Sequence, residues 1–242
     1  MSLVLLGIVT GFISGFFGVG GGMFLVPMLL LIGFDIKSAV AVSIMQMVFS
    51  SIYGSFLNFR TNNSILKEGL IIGVGGFAGG SLSGIILSNV EGEYLKYLFI
   101  VTVLFAIYKV TFTSIIQNNH KTAVHNNYLL LLLGFIIGII AMSIGVGGSV
   151  ILTPILAGYM YYNLKEASSL GLFFVVFSSI AGFISLSING HMLFAEGAIV
   201  GIFSLIGVYF GIKVKNITHI KSYKYMILAL YIFILFSMLY KI

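Results

Sequence analysis

Residues 3 to 34 carry no charged side chain, and a glycine-rich stretch, GFISGFFGVGGG, lies near the middle of that run. A membrane-crossing helix needs about 20 apolar residues, so the run is too long for one crossing and too short for two crossings with a loop. Glycines 18, 20, 21 and 22 resolve the conflict by dividing it into pieces of roughly 3 to 17 and 23 to 33. A near copy, GVGGSVILTP, returns at 145 to 154, and in both copies a proline (Pro27, Pro154) stands nine positions after the first glycine. In lipid a backbone that leaves the helix must find new partners, so such breaks are tolerated where they are buried or line a polar cavity. Two of them point to one binding site built twice.

Composition fixes the setting of these breaks. With 60% hydrophobic and 7% charged residues, the chain has more apolar surface than a soluble domain of 242 residues can bury. It reads as an all-α polytopic protein of a cell membrane, plasma or inner, with the bilayer as a partner. The 12 basic residues are scattered through short loops, as in cytoplasmic loops of membrane proteins, and no basic patch for nucleic acid forms. There are no cysteines, which excludes disulfides, thiolate metal sites and thiol catalysis. MSLVLLGIVTGF lacks the basic region and cleavage site of a signal peptide, so it is expected to stay as the first membrane segment.

Charges divide the rest of the chain. A charge-free span runs from Ser38 to Phe59, followed by a polar loop with Arg60, Asn62, Asn63, Lys67 and Glu68. In IIGVGGFAGGSLSGIIL, glycines 75 and 79, and 76, 80 and 84, recur at four-residue spacing, the small-xxx-small pattern of closely packed membrane helices. Its GVGGFA also fits a loose dinucleotide pattern, but no βαβ unit surrounds it. A helix of roughly 95 to 116 precedes the longest polar connector, at 117 to 127. The second half then repeats the first. Lys37 and Lys165, the pentapeptide VFSSI at 48 and 176, Glu68-Gly69 and Glu196-Gly197, and Lys96-Tyr97 and Lys224-Tyr225 are all 128 positions apart. The glycine motifs are offset by 127. The organisation is a first repeat over 1–116, a linker over 117–127 and a second repeat over 128–242.

Two topologies follow. If each broken pair turns back as a hairpin, each repeat holds five segments and the second is inverted. Eight basic residues, among them Arg60, Lys165 and Lys215, then share one side against Lys37, Lys96 and Lys241. If each pair crosses once, the repeats are parallel and the split is softer. The positive-inside rule favours inversion, with ten apolar segments, or about eight spans when each broken pair is tallied as one.

GVGGG leading to Pro27, the helix AVAVSIMQMVFSSIYGSFLNFR, the second GVGGS leading to Pro154 and SSLGLFFVVFSSIAGFISLSING resemble the TauE/SafE-type sulfite exporter family of membrane permeases. The resemblance covers essentially the whole chain. It implies a transporter of small anions, often sulfur oxyanions such as sulfite or organosulfonates, built from a duplicated four-span unit.

The residues themselves support an anion site. A helix that begins just after a glycine cluster presents free N–H groups and the positive end of its dipole. Gly18, Gly20, Gly21 and Gly22 in one copy, and Gly145, Gly147, Gly148 and Ser149 in the other, are the candidate binding backbone. Gln46, Ser50, Ser51, Thr153, Ser178 and Ser179, with Ser43 nearby, are the candidate side-chain donors. The plainer alternatives are a packed kink for the glycines and bonds to the helix's own carbonyls for the hydroxyls. Glu68 and Glu196 open matching helices, where a carboxylate favours the N-terminus; gating or coupling is the sharper reading. No Asp, Glu or His falls mid-span, and the four histidines lie in connectors. Uniport, or coupling through an end-of-helix glutamate, therefore suits the chain better than a central proton relay. Lys109, inside an apolar stretch, is expected to snorkel. Nothing assembles a catalytic or metal centre, no cofactor is expected, and a membrane enzyme has no candidate residues. A channel, or a permease for a non-sulfur solute, remains the alternative; a homo-oligomer is compatible with the sequence.

Overall fold

The computed structural model describes residues 2–59, 66–112, 127–160, 162 and 164–240. Arg60, Asn62, Asn63 and nearly all of the polar linker lie outside these residues. The described chain is helical throughout: α1 (Ser2–Phe17), α2 (Gly22–Leu31), α3 (Ile36–Phe59), α4 (Leu66–Gly80), α5 (Ser83–Asn89), α6 (Gly92–Phe112), α7 (Asn127–Ser143), α8 (Ser149–Tyr159), α9 (Leu164–Ile188), α10 (Phe194–Ile217) and α11 (Ile220–Tyr240). Among the described residues, six stretches are long and apolar enough to cross a bilayer, and α1, α2, α7 and α8 are shorter apolar helices. Large apolar side chains such as Leu5, Val74, Val101, Phe210 and Phe236 point outward. An outer surface of this kind suits acyl chains.

The uncharged run divides where the glycines require. Gly18, Gly20 and Gly21 all have positive φ, as do Gly145, Gly147 and Gly148. A left-handed residue cannot continue a right-handed helix, and side chains with a Cβ rarely adopt it. Pro27 and Pro154 fall in the second turns of α2 and α8, early enough to disturb few backbone bonds. At the start of α3, Asp35 accepts from the Ser38 N–H at 3.0 Å. Partial burial acts to raise the Asp35 carboxyl, but this and the neighbouring backbone bonds outweigh it and hold the group below its ordinary value.

One expected helix is divided. The glycine-rich segment after residue 66 is interrupted between Gly80 and Ser83, where its counterpart α10 is continuous. Ser185 of α9 bridges the gap: its Oγ donates to Ser81 O at 2.6 Å and accepts from the Gly84 N–H at 2.9 Å. Lys109, at the end of α6, donates to the Tyr159 hydroxyl and sits 4.2 Å from the centre of that ring. The expected snorkelling lysine thus ends on an aromatic face.

Glycine stripes set the packing and reveal the directions of the helices. Gly7, Gly11 and Gly15 of α1 rest in turn on Val200, Ser204 and Val208 of α10, so these helices run parallel. Gly75 and Gly79 of α4 rest on Leu131 and Phe135 of α7, again parallel. Gly69, Gly73 and Gly84 meet Phe173, Phe177 and Ser185 of α9, while Gly197 and Gly201 meet Met45 and Phe49 of α3. One set, α1, α3 and α10, therefore runs one way, and another, α4, α7 and α9, runs within itself the same way. Gly54 lies against Leu172 and Gly182 against Ile44, so α3 and α9, and with them the two sets, are antiparallel. Since Gly22 meets Ser43 and Met47 while α2 ends just before Ile36, α2 runs back along α3. The α1–α2 pair is thus a hairpin with its glycines at the tip.

Candidate functional site

The two glycine tips are brought into contact at the centre of the molecule. A Cβ on Gly22 would lie 2.2 Å from Gly145 O, and one on Gly147 would lie 2.8 Å from Val19 O. Residues 13–23 and 141–154 are buried without exception. α2 and α8 both begin there, so two helix N-termini converge with the positive ends of their dipoles.

The polar groups of the tips divide by sign. Ser43 Oγ donates to Gly145 O at 2.7 Å, Ser50 Oγ to Gly20 O at 3.2 Å, and Ser168 Oγ to Phe17 O at 2.7 Å. Hydroxyls from α3 and α9 thus take up carbonyls of the tips. The N–H groups of Val19, Gly20, Gly21, Gly147 and Gly148 meet no acceptor among the described residues. A buried N–H without an acceptor is rare in native structures. A row of them at a helix start is the geometry of an anion nest.

The side chains make the two tips unlike. Gln46 is fully buried, and neither its amide oxygen nor its nitrogen has a partner among the described residues. A Cβ at Gly21 would lie 2.9 and 3.0 Å from those two atoms, so the amide is laid against the start of α2. At the matching position, 128 residues on, stands Phe174, whose ring would lie 2.3 Å from a Cβ at Gly148. One nest therefore has a polar side chain that can turn a donor to a ligand, and the other is roofed by an aromatic ring. Met47 and Val175 border Gly20 between them.

The remaining predicted donors are less closely engaged. Ser178 Oγ bonds to Phe174 O and Val175 O, and Ser179 Oγ to Val176 O, both within their own helix. Ser51 and Ser149 are buried, with hydroxyls that have no partner among the described residues. Thr153 Oγ1 makes a long bond, 3.5 Å, to Ala167 O. Ser149 and Thr153 lie against Gly171, where the first half of the chain has Ser43 against Gly22, so the small and hydroxyl residues have exchanged helices. Glu68 and Glu196 are both in the first turns of their helices, away from the tips. Glu68 Oε2 accepts from the Tyr162 hydroxyl at 2.7 Å, and burial followed by this carboxylate pushes the Tyr162 phenol up.

Ser168, Phe174 and Met47 were not singled out by the sequence. Adding 128 to Gln46 leads to Phe174, so that contrast was available; the contact of Ser168 with Phe17 joins residues 151 apart and has no local signal.

Comparison with known proteins places the chain among membrane transporters. The family model described as Sulfite exporter TauE/SafE matches residues 3–238. A probable membrane transporter protein of Methanocaldococcus jannaschii is 29% identical over 192 residues, covering 76% of this chain and 70% of the relative. The probable membrane transporter protein YdhB of Bacillus subtilis is 25% identical over 228 residues, covering 90% and 91%. No solved structure matches the chain.

Proposed function

The chain belongs to the TauE/SafE sulfite exporter family of multi-pass membrane proteins, and from that premise we propose that it is a permease for a small oxyanion, a sulfur oxyanion or organosulfonate such as sulfite. The observation that carries the site is the meeting of two glycine tips at which five N–H groups, and the amide of Gln46 beside them, have no partner among the described residues. Backbone donors and a neutral amide hold an anion without a fixed positive charge, so release stays easy. Gly20 to Gly22, Gly147, Gly148 and Gln46 form the seat. Ser43 and Ser50 hold its carbonyls away from the ligand.

The transport reading includes the inverted repeat. Support comes from α3 and α9, counterparts that run antiparallel, and from the α1–α2 hairpin. Entering from opposite faces, the two hairpins place the seat near mid-depth, the usual place for a carrier site between repeats. The start of α9 and the ends of α6 and α10 share one face, and with it Lys165, Lys109, Lys213 and Lys215; Lys37 and Lys96 lie at the other. The positive-inside rule makes the first face cytoplasmic. Burial of both tips favours a carrier over a channel, because an open pore keeps its filter wet.

Counterflow in vesicles tests this. Protein reconstituted with unlabelled sulfite inside is expected to accumulate radiolabelled sulfite transiently from outside. Unitary currents in place of saturable counterflow would make it a channel, and no movement of any sulfur anion would defeat the substrate reading.

A further inference from the structure

A buried lysine stands outside the glycine seat. Lys215, in the last turn of α10, is 2% exposed, whereas Lys213 in the same turn reaches the surface. The Lys215 ammonium donates to Ser169 Oγ at 3.0 Å and has no carboxylate partner among the described residues. An ammonium has three donors, so two are left over. Buried charge that is unpaired costs several kcal/mol by order of magnitude, and a ligand of opposite sign removes much of that cost.

The surroundings connect this lysine to the seat. Lys165 Nζ donates to Thr218 O at 2.6 Å, bringing a second ammonium to the same helix end. The buried Tyr223 hydroxyl donates to Ser168 Oγ at 3.0 Å, and Ser168 holds Phe17 O at the tip of the first hairpin. A Cβ on Gly18 would lie 2.2 Å from Ser168 Oγ. The cluster therefore fills the barrier between the α1–α2 tip and the face where α9 begins.

The other repeat supplies a control. Residues 128 positions earlier than Ser168, Ser169, Lys215 and Tyr223 are Val40, Ala41, Leu87 and Leu95, all buried. Val40 meets Gly145 as Ser168 meets Gly18. At these four matched positions the fold is wholly apolar on the opposite side, so packing alone does not call for a lysine, two serines and a tyrosine here.

We propose that Lys215, with Ser169, Ser168 and Tyr223, is a second anion site, through which a small oxyanion passes between the glycine seat and the face bearing the starts of α9 and α11. This rests on the permease reading above. The apolar barrier opposite has no such station, so the two directions of passage differ.

The test uses the full-length protein in detergent and in vesicles, with sulfite and sulfate as probes and chloride as control. Anion affinity, read from concentration-dependent thermal stabilisation, and counterflow are measured for wild type, Lys215→Leu and Lys215→Arg. Leucine is the residue of the opposite barrier, so that variant is expected to fold and to be at least as heat-stable without anion. Its oxyanion affinity is expected to fall about tenfold or more, the loss of a charge-assisted hydrogen bond, while Lys215→Arg stays much closer to wild type. If wild type binds and carries oxyanion and Lys215→Leu does so equally, the second site is overturned and the permease stands. If wild type neither binds nor carries any oxyanion, both fall. Should Lys215→Leu not fold, Ser169→Ala must weaken oxyanion affinity, and unchanged affinity there overturns the site.

Discussion

Gln46 is the residue at which stability and function part. A buried amide without a partner costs about 1 to 3 kcal/mol. Gln46→Leu, close in volume, is therefore expected to leave the protein as stable as wild type or up to that amount more stable, while oxyanion-dependent stabilisation falls. Thermal unfolding with and without sulfite checks both halves, and a less stable variant with unchanged anion response would contradict them. Gly148 tests the opposite tip. Gly148→Ala puts a methyl group 2.3 Å from the Phe174 ring at φ +58, so a loss of about 1 to 3 kcal/mol is expected. Phe174→Ala in the same chain should restore part of it, a coupling that a double-mutant cycle measures. The glycines were legible because a cluster of them interrupts a long apolar run twice, each time with a proline nine positions after the first glycine. The serines were only half legible: the sequence marks hydroxyls near the tips, but which ones hold carbonyls depends on helices that meet from distant parts of the chain.

At the scale of elements, glycine stripes decide which helices touch. The stripe at 75, 76, 79, 80 and 84 was read as packing, and it packs on α7 and α9. The same four-residue spacing at Gly7, Gly11 and Gly15 was overshadowed by the neighbouring cluster, although it seats α1 on α10. Gly11→Leu is expected to abolish stable assembly, since even a Cβ would lie 2.0 Å from Ser204 O and the obstacle is backbone. Loss of the monodisperse peak on size exclusion would register it. The break between α4 and α5 had no sequence signal, because Ser185, which completes it, is over a hundred residues away. At the start of α3, Asp35 has a folded-state value below its unfolded one, so its contribution is present above the ordinary carboxylate value and disappears as pH falls through the depressed one. Wild type should therefore exceed Asp35→Ala in thermal midpoint at neutral pH and converge with it in acid. A difference that persists at low pH would contradict the capping role.

For the whole molecule, composition made the helical membrane class readable, and the 128-residue offset is the sequence's own argument for a duplication. The choice between hairpin and single crossing hung on a modest charge asymmetry, because direction is a property of contacts and not of local sequence. Side-specific labelling tests it, and a chain without cysteine makes this clean. Single cysteines at the exposed positions Gly33 and Glu91 are expected to react from one side of sealed vesicles, and those at Glu166 and Lys213 from the other. Labelling of all four from one side would indicate parallel repeats. On the permease reading, the converging glycine tips, with Gln46, seat the transported anion. The sharpest test of this is the thermal midpoint of the purified protein against increasing sulfite, for wild type and Gln46→Leu side by side, since a ligand of the folded state raises the midpoint by mass action. A saturable rise in wild type that is largely lost in Gln46→Leu is the predicted result; an equal rise in both would place the anion elsewhere.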